Sequence, residues 1–179
     1  MKGGLLAWVF VGGLLAQVNP NMEALEDFTK LINDYGKTKK IAEAEIHGLR
    51  PTNSPEEIEH HEKRLAHSIR ESRRTARQGD IFKPAIAAAF RRLISQTMNG
   101  PEGAAIRQSL RSGSPPSVRT LHVNEPYPAG EPLQSTPPSL LANLPQLPQG
   151  LDYRVVGQAL VLRDSEANLI IDFLPNAIS

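Results

Sequence analysis

From residue 21 to about 48, apolar side chains recur every three or four positions. Leu25, Phe28, Ile32 and Tyr35 form one helical stripe. Asn21 is placed to cap this helix, and Glu23, Glu26 and Asp27 complement its dipole. Gly36 and the lysines after it interrupt the stripe, which Ile41 and Ile46 resume. Ser54-Pro55-Glu56-Glu57 then opens a second helix, with serine at the cap, proline at the first helical position and glutamate at the third. This helix is expected to run to Gln78 with Ile58, His61, Leu65, Ile69 and Ala76 inward, and Gly79 ends it. Asp80 is placed to cap a third helix whose apolar face is Ile81, Ala85, Ile86, Ala89, Phe90, Leu93 and Ile94. Pro84 falls in its first turn, where a missing N–H costs little. Asn99-Gly100-Pro101 stops it and starts a shorter fourth helix to about Arg111, with Ile106 and Leu110 inward.

The pattern changes at Ser112. Residues 118–123 (VRTLHV) are expected to form a short strand, and 124–138 hold five prolines with no helical period. Residues 139–144 have room for about one helical turn before Pro145. Residues 152–156, 159–163 and 168–173 are rich in Val, Ile and Leu and are punctuated by Gly157-Gln158 and by 164–167, which predicts a three-stranded antiparallel meander. Such a sheet needs a cover for its apolar face, and Leu140, Leu141 and Leu144 of the Pro-rich arm are candidates beside the helices. The fold class is therefore α+β: three or four helices, a Pro-rich connector and a small C-terminal sheet. The divisions are a leader over 1–16, helices over 17–112, the connector over 113–150 and the meander over 151–179, with 17–179 expected to fold as one unit.

The leader reading rests on Lys2 followed by the apolar run LLAWVFVGGLLA over residues 5–16, the pattern of an export signal. Cleavage is expected after Ala16. Gln17 stands where a lipoprotein would need cysteine. The alternative is a retained anchor over 3–18, which is short of the ~20 residues that cross a bilayer. The chain has no cysteine, which excludes disulfides, thiol catalysis and Cys-based zinc sites. Export without cysteine fits a bacterial periplasm or exterior. Net charge is +1 over the 179 residues, but residues 17–112 carry +3 and 113–179 carry −3.

ARQGDIF at 76–82, VNEPYPAGEPLQSTPPSLLANLPQLP and LDYRVVGQALVLRDSEANLIIDFLP resemble an uncharacterised family of exported bacterial proteins. The last segment is also similar to the end of other small periplasmic proteins, through its Tyr-Arg, Val-Gly and Leu-Val-Leu-x-Asp pattern. The resemblance implies export and one integrated fold. It implies no reaction and no ligand.

Candidate chemistry is sparse. Arg70, Arg73, Arg74 and Arg77 fall at i, i+3, i+4 and i+7, so a helix through Gln78 would place them on one face. Their guanidinium forks suit phosphates or carboxylates, so an acidic envelope polymer, a lipid headgroup or an acidic protein is the expected partner. The opposing reading is a solvated face paired with Asp152, Asp164, Glu166 and Asp172. Nucleic acid is disfavoured, because no aromatic side chain interleaves with these arginines. Glu57, His60 and His61 on one helix are metal-ligand candidates, with Glu57 and His61 one turn apart, and a tight site would need a further ligand such as His47 or His122 brought near by the fold. Gly-Lys-Thr at 36–38 lacks the earlier glycine of a phosphate loop, and Gly-x-Ser-x-Gly and His-Glu-x-x-His are absent. No catalytic residue and no cofactor is assigned. The expectation is an exported non-catalytic interaction module. The alternatives are a periplasmic hydrolase or metal-dependent enzyme at Glu57, His60 and His61, and a self-associating structural subunit.

Overall fold

A computed structural model describes residues 20–49, 51–112, 120–127 and 136–178. The leader and its cleavage site, residues 118–119 of the expected strand and residues 128–135 of the arm lie outside that description. Five helices precede the sheet among the described residues: α1 (Pro20–Ile46), α2 (Pro55–Ser72), α3 (Pro84–Met98), α4 (Gly103–Ser112) and α5 (Pro138–Leu141). The antiparallel sheet follows in chain order, β1 (Leu151–Val156), β2 (Ala159–Asp164) and β3 (Leu169–Leu174). The α+β class and the meander are as the sequence pattern predicts.

α1 runs unbroken through Gly36, and its buried stripe is Ala24, Phe28, Ile32, Tyr35, Lys39 and Ala42. The expected continuation through Ile41 is corrected, since that side chain is 59% exposed while Lys39 is 8% exposed. Helix geometry decides this: residues 32, 35, 39 and 42 stay on one face and 41 does not. The ammonium is tolerated inside because carboxylates wait for it there.

α2 begins as expected, with the Ser54 hydroxyl accepting the Glu57 N–H at 3.3 Å and Pro55 in the first turn. It stops at Ser72, six residues before the expected end. Arg73 leaves the helical conformation at φ −123°, and its carbonyl accepts from Asn124 Nδ2 at 2.8 Å. A tertiary contact thus ends a helix that local propensity would have extended. Ile58 is exposed rather than inward, because the buried residues of α2 begin only at Leu65. α3 starts at Pro84 behind Lys83, and the Asp80 carboxylate accepts the Arg77 N–H instead of capping α3. Ala85 is exposed, whereas Ile81 is buried from the preceding loop.

The core joins helices to sheet. Phe90 lies 4.8 Å from Phe28, 5.2 Å from Phe82 and 6.0 Å from Tyr153 between ring centroids, all edge-on. Leu160 and Leu162 of β2, Leu174 of β3 and Leu140 and Leu144 of the arm complete it. Leu141, the third expected cover, is exposed. Thr136 donates its hydroxyl to Tyr153 O at 2.9 Å, and Tyr153 donates its own to Pro145 O at 3.1 Å, so the arm is tied to β1.

Gly157 takes φ +58° at the first turn position between β1 and β2, the arrangement of a type II′ hairpin. At the α3–α4 junction the chain passes so close that a Cβ on Gly103 would lie 1.8 Å from Met98 O. Residues 120–123 form no strand. The chain pairs slightly later, where Asn124 N–H donates to Ile170 O at 2.8 Å, Ile170 N–H to Glu125 O and Tyr127 N–H to Asn168 O, both at 2.9 Å. Pro126 forms a single antiparallel bridge with Leu169. Proline has no N–H for a ladder, so this segment blunts the β3 edge without extending the sheet.

Candidate functional site

A polar seam runs between the helices and the sheet, and two fully buried carboxylates anchor it. Asp164 ends β2. It accepts the Tyr35 hydroxyl at 2.7 Å, the Lys39 ammonium at 3.1–3.2 Å, and the N–H groups of Glu166 and Ala167 at 2.9 Å. Lys39 also pairs with Glu166 at 2.7 Å. Burial works against the Lys39 charge, but the bonds to Glu166 and Asp164 outweigh it and hold its pKa above the ordinary lysine value. Burial first, then the Asp164 carboxylate, pushes the Tyr35 phenol far above the ordinary tyrosine value. Tyr35 therefore stays a neutral donor.

Asp172 interrupts the apolar run of β3. Its carboxylate accepts N–H bonds from Gly79 at 2.9 Å and from Ile81, Phe82 and Phe173 at 2.8 Å. No side-chain cation bonds to it among the described residues. Burial raises its pKa against the pull of those four amides. The 79–82 loop is thus wrapped around one side chain of β3, which physically joins the ARQGDIF and IIDFLP segments.

Arg70 and Arg73 belong to the same seam. Arg70 Nε donates to Asn124 O at 2.7 Å. Arg73 donates to Asn124 Oδ1 and to Ile171 O, both at 3.0 Å, and lies 5.2 Å from the Tyr35 ring centroid. Burial lowers the Arg73 pKa, opposed by Tyr35, Asp172 and Asp80. The expected shared face of Arg70, Arg73, Arg74 and Arg77 is corrected: α2 ends before the last three, and the first two point into the protein. Arg74 pairs with Glu71, and the Arg77 side chain has no hydrogen-bond or ion-pair partner among the described residues. The acidic residues expected to balance this face are also engaged elsewhere, since Asp152 binds Arg154 at 2.7 Å and Arg163 at 2.9 Å.

Glu57 and His60 are exposed on α2 and His61 is half-buried. Consecutive helical residues diverge by about 100°, so His60 and His61 do not converge. Among the described residues no group of three or more His, Asp or Glu side chains is placed to hold a metal ion. His60 instead lines a cavity of about 310 Å³ with Glu45, Lys63, Arg64 and His67. A larger cavity of about 840 Å³ lies between α3, the turn at residues 100–102 and α5, bordered by Leu93, Thr97, Glu102 and Asn143. A third, of about 270 Å³, lies beside Arg91 and Asn176.

Lys39, Tyr35, Asn124, Asp164 and Asp172 escape a reading by motif. Two of them left a trace: Lys39 keeps the phase of the α1 stripe, and Asp172 is a charge inside LIIDFL. Their partners are remote in sequence, so no spacing rule could pair them. Comparison with known proteins finds no match to any family model, curated protein or solved structure.

Proposed function

We propose that the protein is an exported, non-catalytic interaction module of the bacterial envelope or exterior, and that its contact surface is the basic stretch from Arg74 into α3. One observation carries this reading: past Arg74, which pairs with Glu71, the acids nearest these cations are bonded to backbone N–H groups. Asp80 accepts the Arg77 N–H, and Asp172 accepts those of Gly79, Ile81 and Phe82. Arg77 and Lys83 are left exposed, with no side-chain ion pair among the described residues. The buried ionisable groups of the seam are likewise bonded to one another or to the backbone, the arrangement of a structural network rather than of a poised acid and base. Guanidinium and ammonium groups displayed this way attract anionic ligands.

The test is retention on immobilised polyphosphate at low and high salt. The protein is expected to be retained and to elute as salt rises, while R77E/K83E passes through. Equal retention of this variant would remove the surface assignment. Arg73 is unsuitable for such a test, because its reversal would place a carboxylate against Ile171 O and Asn124 Oδ1.

A further inference from the structure

We propose that the cavity between α3 and the tail after β3 binds a short-chain carboxylate, with the Arg91 guanidinium taking the carboxylate group and Ile94, Met98 and Ala177 receiving the apolar chain. This site stands apart from the contact surface above, since neither Arg77 nor Lys83 lines it.

Two elements build its walls. Arg91, Ile94, Ser95 and Met98 fall at i, i+3, i+4 and i+7 of α3, so they share one face, and Asn99 caps the helix beside them. Asn176 and Ala177 form the opposite wall. The Ala177 and Ile178 N–H groups both donate to Gln158 O, at 2.8 and 3.1 Å, which clamps the tail to the β1–β2 turn. Asn176 takes φ +50°, a left-handed conformation that asparagine enters more readily than most residues with a Cβ. Walls held in place before a ligand arrives lower the cost of binding.

Size and charge select the ligand. The cavity holds about 270 Å³, the space of about nine waters at ~30 Å³ each, which suits a small molecule rather than a length of chain. Arg91 is its one charged lining residue among those described, and no acid lines it. Arg91 has no ion pair among the described residues, and it donates one N–H to Pro175 O at 2.9 Å, which anchors the guanidinium. Its remaining N–H groups include two parallel donors that match the two oxygens of a carboxylate. Asn99 Nδ2 donates to Ser95 Oγ at 3.3 Å, so the Ser95 hydroxyl keeps its own hydrogen for a ligand. One cation balances one negative charge, whereas a phosphate dianion would bring a second charge with no second cation.

The floor completes the argument. Ile94, Met98 and Ala177 are 1%, 4% and 5% exposed, an apolar base beneath the polar rim. An inorganic anion leaves that base facing water, and an alkyl chain covers it.

The experiment is a titration of the full chain with butyrate, followed at the methyl resonances of Ile94, Met98 and Ala177, beside the neutral butyramide and inorganic phosphate at matched ionic strength. Saturable shifts with butyrate alone are expected. R91Q should weaken binding by about ten- to a hundredfold, the share of hydrogen bonds made to a charged group. An unchanged urea midpoint would show that this variant folds. S95L keeps Arg91 but fills the cavity from an exposed helix position, and it should abolish the shifts. R77E/K83E should bind butyrate as the parent does. Absence of saturable shifts, equal shifts with butyramide, or butyrate binding undiminished in R91Q would each overturn the proposal. Phosphate moving the same methyls as far would reduce the site to a general anion contact on Arg91 and overturn the carboxylate assignment. Loss of butyrate binding in R77E/K83E would move the anion to the contact surface and remove this site. Butyrate binding without retention on polyphosphate would remove the contact surface and leave the cavity assignment standing.

Discussion

Replacing Asp172 by alanine removes one carboxylate and disturbs two segments, because the side chain on β3 is the acceptor for the loop between α2 and α3. Both the Ile81 and the Phe82 N–H bond to Oδ2 in buried surroundings, while Gly79 and Phe173 use Oδ1 at partly buried positions. A buried donor left without an acceptor costs about 1–3 kcal/mol. The two buried amides therefore cost about 2–6 kcal/mol, and relief of the carboxylate's own burial offsets part of that. A net loss of about 3 kcal/mol is expected, a large share of the ~5–15 kcal/mol that holds a domain together. Asp172→Asn separates acceptor loss from volume loss. Its one oxygen can keep Ile81 and Phe82, but its amide then faces the Gly79 and Phe173 N–H groups, donor against donor, so about half the loss should remain. Urea unfolding with an unchanged m-value measures both changes. Amide exchange at Ile81 and Phe82 should accelerate in the alanine variant alone. If Asp172→Ala lay within about 0.5 kcal/mol of the parent, the range of ordinary surface changes, the loop would not depend on this carboxylate.

Arg73→Met loses two charge-assisted bonds and the contact with Tyr35, for about 2–4 kcal/mol, whereas Arg74→Ala, which breaks only an exposed pair, should cost under about 1 kcal/mol. Equal thermal shifts for the two would refute the internal placement of Arg73. At alkaline pH, Tyr35 and Tyr153 both carry raised pKa values, so the native state keeps protons that the unfolded chain gives up from pH 10.0 upward. Their contribution is complete below that value and is lost as pH rises above it; Tyr35→Phe should flatten this alkaline decline, and an identical slope would count against it. Leu140→Ala should cost about 2–5 kcal/mol by opening a cavity at a fully buried site, and a cost near zero would mean that the arm is not core.

Much of the architecture is written in local pattern. Ser54 and Pro55 start α2 through backbone chemistry confined to a few residues, and Gly157 with its flanking Val and Leu runs defines the first hairpin in the same way. These devices act within about one helical turn or one strand pair, so a linear reading finds them. The candidate site was legible only in part. Arg70, Arg73, Arg74 and Arg77 stood out as a group, yet their helical spacing held no information about whether the helix would last that far.

By itself, the sequence determined the α+β class, the order of elements, the start of α2 and the three-stranded meander, because periodicity and turn chemistry are short-range. Tertiary structure decided where α2 stops, which face of α1 continues past Tyr35 and which arginines remain at the surface. In each case one polar side chain met a partner far along the chain: Arg73 with Asn124 and Ile171, Lys39 with Asp164, Asp172 with Gly79, Ile81 and Phe82. A buried charge or amide must be paired wherever the fold supplies the partner, and that obligation outweighs the few tenths of a kcal/mol, ~0.5 per residue, by which local preference favours one backbone state over another.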